Sequence, residues 1–318
     1  MQTNKVTKSI IVHPVTSHGR SEMQKTQSEG ASIKGKMRGV SAREPFRELM
    51  THVTAPGNVR YAQGTVGGID GWWCEPASAI NNAVILYVHG GWFNLGTAES
   101  YCHLVGQIAS KAKAKAFIPD YRLAPEHPFP AALDDVTAAY SALSKNGDQI
   151  ALAGDSAGGN LSLVVSQTAI KASTEHRIVA VASLSPVTDL AMTGASWETR
   201  AKVEPFFVRD QVEELISSYL NGHDPLDPKA SPLYGNFDGL PPIQVHVGDN
   251  EVLLDDSLRL VDHATKAGVN AKAHVWEGMA HVFQTGIGHL DAAEESLQVI
   301  GTFLAEQFAL SAKQAFQP

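Results

Sequence analysis

Ile150–Ala153 is a short apolar run that leads into Gly154-Asp155-Ser156-Ala157-Gly158-Gly159. A G-x-S-x-G pentapeptide between a strand and a helix places its serine on a sharp, strained turn where the flanking residues must be small. The helix that follows aims its free N–H groups and positive dipole end at the same place, which favours negative charge there. Ser156 is therefore a candidate nucleophile. The competing reading is a phosphate-cradling strand–helix turn, which needs G-x-G-x-x-G or G-x-x-x-x-G-K-[ST], and this turn has neither.

A serine hydroxyl attacks only when a base accepts its proton, and on this type of turn the chain order is serine, acid, histidine. Of the thirteen histidines, His281 in Glu277-Gly278-Met279-Ala280-His281 follows the last strand pattern and precedes the final helix. His246 and His274 fall inside strand patterns and read as packed residues, and His263 reads as a helix-face residue. The acid belongs after the preceding strand, where Asp249, Glu251, Asp255 and Asp256 are all available. It would accept the second imidazole N–H, fix the tautomer and stabilise the imidazolium. Pattern alone does not choose among the four.

A third stretch, Leu86–Gly96, stops an apolar strand at His89-Gly90-Gly91 and continues with Trp92-Phe93. A backbone almost bare of side chains lets another group approach its N–H groups closely.

The elements that must position these residues follow an alternating pattern. Strands are expected at Ala83–His89, Ala116–Pro119, Gln149–Ala153, Ile178–Leu184, Ile243–Val247 and Ala271–Trp276. Helices are expected at Glu99–Lys115, Asp134–Asn146, Gly158–Ala172, Ser257–Ala267 and Leu290–Phe308. Strands that are apolar throughout and separated by helices indicate a mainly parallel sheet covered on both faces. The rhythm breaks between Leu190 and Asn236, a stretch with Met192, Trp197, Phe206, Phe207 and a helix at Asp210–Leu220. An aromatic insertion of this kind reads as a lid or cap.

The chain has 318 residues, 43% hydrophobic and 18% charged, with a net charge of −8. That is an ordinary globular balance for one large α/β domain with an insertion. Its apolar runs are strand-sized, too short to span a bilayer. The first residues lack the apolar core and cleavage site of a secretory leader and make only a weak mitochondrial presequence, so a cytoplasmic location is expected. Cys74 and Cys102 read as free thiols. Residues 1–47 carry nine Lys/Arg against three acids, a local +6 that leaves −14 for the rest. No aromatics interleave these charges, so the arm reads as a lead-in packed on the acidic body, with no nucleic acid or membrane partner.

Taken together, His89-Gly90-Gly91-Trp92-Phe93, Asp120–Asp135, Gly154–Gly159 and Ser185-Pro186-Val187-Thr188-Asp189 resemble the bacterial hormone-sensitive-lipase-like (family IV) esterases of the α/β-hydrolase fold. The resemblance covers about residues 80 to 310. It implies a mainly parallel sheet flanked by helices under a split helical cap. The arm (1–55) and an insertion (190–236) would form the cap over a catalytic domain made of 56–189 and 237–318.

The family's usual Asp-Pro-Leu at the acid lines up with Glu251-Val252-Leu253, which makes Glu251 the implied acid, with Asp255 and Asp249 as alternatives. The family's His-Gly-Gly-Gly loop implies an oxyanion hole from the N–H groups of Gly90, Gly91 and Ala157. Trp92 replaces the third glycine. Asp155 is implied as a structural acceptor, His89 as a loop brace, and Arg122 and Glu126 as buried scaffold ions.

The expected activity is hydrolysis of short-chain esters or lactones, with Trp92, Phe93, Phe206 and Phe207 lining the substrate pocket. No metal or other cofactor is expected, and the partner is a small-molecule ester. The resemblance allows a homodimer, but no interface is legible in the sequence. Two other readings stand beside it. Arylformamidases share the fold and show His-Gly-Gly-x-Trp, and non-catalytic receptors of the gibberellin type share it without the base.

Overall fold

The structure is a computed structural model and describes residues 9–172 and 177–315. Nine strands form a single sheet: β1 (Ile10–His13), β2 (Val59–Val66), β3 (Ile69–Pro76), β4 (Ala83–Val88), β5 (Lys115–Pro119), β6 (Gln149–Asp155), β7 (Ile178–Leu184), β8 (Ile243–Gly248) and β9 (Ala271–Trp276). Their spatial order is β1-β9-β8-β7-β6-β4-β5-β3-β2. From β1 to β5 every neighbouring pair is parallel, while β3 runs antiparallel to both β5 and β2.

The period-2 alternation of a strand divides the core into two layers. Val84, Leu86 and Val88 of β4 face one side with α4 (Ala131–Lys145), α5 (Ala157–Ala172) and α8 (Leu254–Lys266). Ile85 and Tyr87 face the other, with α3 (Cys102–Ala112) and α9 (Asp291–Ala315). Burial on both faces is why these strands are apolar at every position. No described helix is long and apolar enough to cross a membrane. Cys74 and Cys102 are both buried and free.

The expected strands and helices are present with small shifts at their ends. The final helix runs on to Ala315, past the expected end at Phe308, and α3 is shorter at both ends, where Glu99–Tyr101 form a tighter 3₁₀ turn and Lys113 takes a left-handed φ of 53°. Besides the helices of the arm, two strand features fall outside the expected pattern. One is the hairpin β2–β3, closed by Gly67 and Gly68 with φ of 63° and 82°, as a two-residue hairpin turn requires.

The other is β1, which comes from the arm and completes the far edge of the sheet beside β9. The His13 ring stacks on Trp276 at 3.7 Å. Donor logic orders the histidines behind it. Trp276 Nε1–H and Ser296 Oγ–H donate to His246 Nδ1, which leaves His246 Nε2–H to donate to Gln244 Oε1. Gln244 Nε2–H donates to His274 Nε2, and His274 Nδ1–H donates to His13 Nε2 at 2.9 Å.

Beyond β1 the arm also reaches the insertion. After α1 (Ser17–Gly30), Lys34 Nζ donates to the carbonyls of Ala201 and Glu204, and Gly35 N–H to that of Phe206. Arg38 pairs with Asp210 at 2.6 Å and Glu214 at 3.0 Å on α7 (Arg209–Leu220).

Candidate active site

β6 ends at Asp155 and α5 begins at Ala157, so Ser156 alone makes the turn, with φ of 51°. A left-handed conformation costs a non-glycine residue about 1–2 kcal/mol. It persists because Ser156 N–H donates to Leu184 O, and Ser156 O accepts from Val187 and Asn160. A Cβ on Gly154 would lie 2.5 Å from the Val88 carbonyl oxygen, and one on Gly158 would overlap that carbonyl. Both positions admit only glycine. Ser156 is 2% exposed, and its Oγ has no hydrogen-bond partner among the described residues. Catalytic hydrogen bonds are often made only once substrate is bound.

The loop after β4 lies against this turn. His89 Nδ1–H donates to Gly90 O at 2.8 Å, and the His89 ring stacks on Tyr121 at 4.2 Å. Burial lowers the His89 pKa to about 4, so the ring is a neutral brace. Gly90 differs from expectation. Its N–H donates to Asp155 Oδ1 at 3.0 Å, so this amide is already taken and is no free donor for an oxyanion. Asp155 also accepts from Tyr87 Oη at 2.9 Å and Tyr101 Oη at 3.0 Å. Its burial raises its pKa to about 6, against the pull of those three donors.

The N–H groups of Gly91 and Trp92 have no acceptor among the described residues. Ala157 is the first residue of α5, where amides lack intrahelical partners. Trp92 and Phe93 both adopt left-handed φ, 52° and 62°.

His281 follows β9, and its Nδ1–H donates to Glu251 Oε2 at 2.9 Å. Glu251 is fully buried, and its other oxygen accepts from Ser185 Oγ at 2.8 Å and Gly248 N–H at 2.6 Å. The other candidate acids are engaged elsewhere. Asp249 accepts from Gly278 N–H, Asp255 from Ser196 N–H, and Asp256 from Thr188 and Asp189 N–H. Burial works against a charged His281, but the bond and charge of Glu251, aided by Glu204 and Asp155, outweigh it and raise the pKa.

Aromatic rings run away from this pair. Phe207 meets the His281 ring edge-on at 4.9 Å, and Trp92 meets Phe207 edge-on at 5.4 Å. Phe206 shares with His281 a cavity of about 160 Å³ beside α1. Phe93 is turned elsewhere, stacked on Tyr219 of α7 at 3.7 Å and fully buried.

His246 and His274 lie buried in β8 and β9, and His263 lies on α8. Arg122 and Glu126 differ from the buried ions expected, at 48% and 47% exposure. Arg122 grips Asp135, and Glu126 holds Arg43 of the arm.

One acid was not anticipated. Glu204, in the insertion, is 1% exposed and accepts from Phe206 N–H at 2.9 Å and Val252 N–H at 3.1 Å. A glutamate set in the apolar run Val203–Phe207 was its only sequence signal.

A nucleophile-elbow serine, unpaired backbone donors and a His–carboxylate pair on a mainly parallel sheet define a hydrolase of the α/β class. Comparison with known proteins agrees, since residues 85–285 match the family model described as the α/β hydrolase fold. The chain is 38% identical to an acetyl-hydrolase of Streptomyces hygroscopicus over 76% of this chain and 81% of that protein. It is 35% identical to an esterase of Acinetobacter venetianus over 71% of this chain and 76% of that one. A crystal structure of an esterase from the bacterial hormone-sensitive lipase family superposes with a TM-score of 0.86 at 33% identity, covering 92% of this chain and 99% of the other. The chain belongs to the bacterial hormone-sensitive-lipase-like branch of the α/β-hydrolase family. It is an enzyme of the carboxylesterase class.

Proposed function

We propose that the protein hydrolyses short-chain carboxylic esters or compact lactones through an acyl-enzyme, with Ser156 as nucleophile, His281 as base and Glu251 as acid. The observation that carries this reading is the fully buried Glu251 at 2.9 Å from His281 Nδ1. That bond leaves Nε2 of the neutral imidazole as the acceptor for the serine proton.

Ser156 Oγ bonds to the ester carbonyl carbon, and its proton passes to His281 Nε2. The carbonyl oxygen becomes an oxyanion facing the free amides of Gly91 and Ala157, with Trp92 N–H beside them. Losing one such donor costs about 10²–10³-fold in rate. The alkoxide leaves with the proton from His281. Water then attacks the acyl-enzyme by the same route in reverse order of roles. In a lactone the leaving alcohol stays attached to the acyl chain.

The arm (1–55) and the insertion (190–236) form the cap, and residues 56–189 with 237–318 the catalytic domain. The bonds from Lys34, Gly35 and Arg38 to the insertion support this division. A short acyl preference is supported by Trp92 and Phe207 packed edge to face beside His281, and by a relative named acetyl-hydrolase.

A p-nitrophenyl ester series from acetate to dodecanoate, on wild type and Ser156→Ala, tests the reading. An optimum at or below butanoate, abolished by Ser156→Ala, is expected. Faster turnover of dodecanoate overturns the substrate class, and an active Ser156→Ala overturns the nucleophile.

A further inference from the structure

The other deeply buried acids are tied to side-chain partners: Asp155 to two tyrosines, Asp135 to Arg122, Asp189 to Arg259, and Asp256 to the Thr188 hydroxyl. Glu204 differs, because among the described residues its carboxylate accepts from two backbone amides and from no side chain. The choice of amides is informative. Val252 directly follows Glu251, whose carboxylate holds His281 Nδ1. Phe206 directly precedes Phe207, whose ring packs edge-on against the same imidazole. One carboxylate thus joins the two segments that contact His281, one from the acid loop and one from the insertion. The Glu204 main chain is fixed in turn by Lys34 Nζ of the arm, at 2.5 Å from its carbonyl.

We propose that Glu204 is a positioning residue for His281, which registers the insertion against the acid loop and presents a second negative charge to the imidazole. The proposal rests on the triad reading above.

The charged and titratable groups around this point are His281 and Glu251 on the catalytic domain, Lys34 on the arm, and Asp155 beyond the imidazole. His281 is the only one of them whose charge changes during turnover. As it becomes an imidazolium it faces two carboxylates, and each favours the protonated ring. The preference is mutual. Burial raises the Glu204 pKa to about 7 even against the pull of the imidazolium, so each group's charge bears on the other's titration.

The test compares Glu204→Gln and Glu204→Asp in the full-length enzyme, reading kcat and the acidic limb of kcat/KM with p-nitrophenyl butanoate. Gln keeps size but removes the charge and turns an N–H₂ toward one amide. Asp keeps the charge and shortens the reach. For Glu204→Gln, kcat should fall roughly tenfold, and the acidic limb should move down by about one pH unit, the size of shift a nearby charge produces. For Glu204→Asp, kcat should fall several-fold with the limb unmoved.

An unmoved limb in Glu204→Gln, or wild-type kcat in Glu204→Asp, overturns the proposal, and the Asp variant alone carries the test if the Gln variant does not fold. Labelling of Ser156 by a fluorophosphonate in the same samples separates the two layers of inference. A labelled, active enzyme indifferent to Glu204 refutes only this proposal, whereas an unlabelled active enzyme refutes the triad itself.

Discussion

The Asp155 carboxylate accepts the Gly90 amide at 3.0 Å, so the residue before Ser156 holds the loop that carries Gly91 and Trp92. Two tyrosine hydroxyls complete its shell. An asparagine cannot accept all three, because its N–H₂ must face at least one donor. Asp155→Asn should lose about 2–3 kcal/mol of stability, the cost of an unsatisfied buried donor. Urea unfolding measures this, and kcat should fall with it as the loop loses its register.

Glu251 and Asp255 are separated by four positions and by function. Glu251→Gln should lower kcat about 10⁴-fold, the cost of leaving a catalytic imidazole in the wrong tautomer. Asp255 accepts the Ser196 amide and does not reach His281, so Asp255→Asn should keep kcat within a few-fold of wild type. Equal losses in both variants would contradict the assignment of the acid.

Trp92 combines strain with packing, since its φ is 52° and its indole is 3% exposed against Phe207 and Trp197. Trp92→Gly relieves about 1–2 kcal/mol of left-handed strain but forfeits about 3–5 kcal/mol of buried packing. A net loss of about 2–3 kcal/mol is expected. The space opened should move the ester optimum to longer acyl chains, as the p-nitrophenyl series would read out.

Buried groups of opposite type shape the dependence of stability on pH. Burial raises the pKa of Asp155 to about 6 and of Asp256 and Glu204 to about 7. Folding therefore draws protons onto these acids, and their contribution to stability grows as pH falls from about 7 toward 4. His89 and His274, lowered by burial to about 4, and His246 and His13, also lowered by it, act in the other direction. They favour the folded state above about 6.5 and lose that contribution as pH falls.

The two sets offset each other, so Tm should change little between pH 7 and 5. Asp256→Asn removes one acid from the balance while keeping an acceptor for Thr188 and Asp189. Its Tm should exceed wild type by about 3–5 °C at pH 8 and lose that margin at pH 5. Thermal melts across this range check both statements.

The parts of the fold legible in the sequence are those fixed by local sterics. β7 (Ile178–Leu184) matches its expected bounds end to end, because an apolar run with three β-branched residues leaves little choice, and β9 matches as well. The elbow at Ser156 and the bare loop at Gly90-Gly91 were readable because only a glycine fits beside the Val88 and Leu95 carbonyls and, at Gly90, the Asp155 carboxylate. Gly67-Gly68 was an available hairpin signal that the alternating strand–helix pattern did not call upon. What stayed hidden depends on distant partners. The Gly90 amide is taken by a side chain 65 positions away. The burial of Glu204 depends on the Val252 amide 48 positions away, and the short strand Ile10–His13 has no signal beyond its four residues.

β1 is also the outermost strand, and its place bears on how the chain matures. His13 meets His274 across 261 positions, so the edge that β1 joins does not exist until the ribosome has passed β9. Synthesis proceeds at about 5–20 residues per second, and until β9 emerges β1 has no strand to pair with. The sheet can assemble outward from β4 and β6 meanwhile, while the arm and the helix it leads into dock last. The strand that closes this edge is thus made long before the one it pairs with.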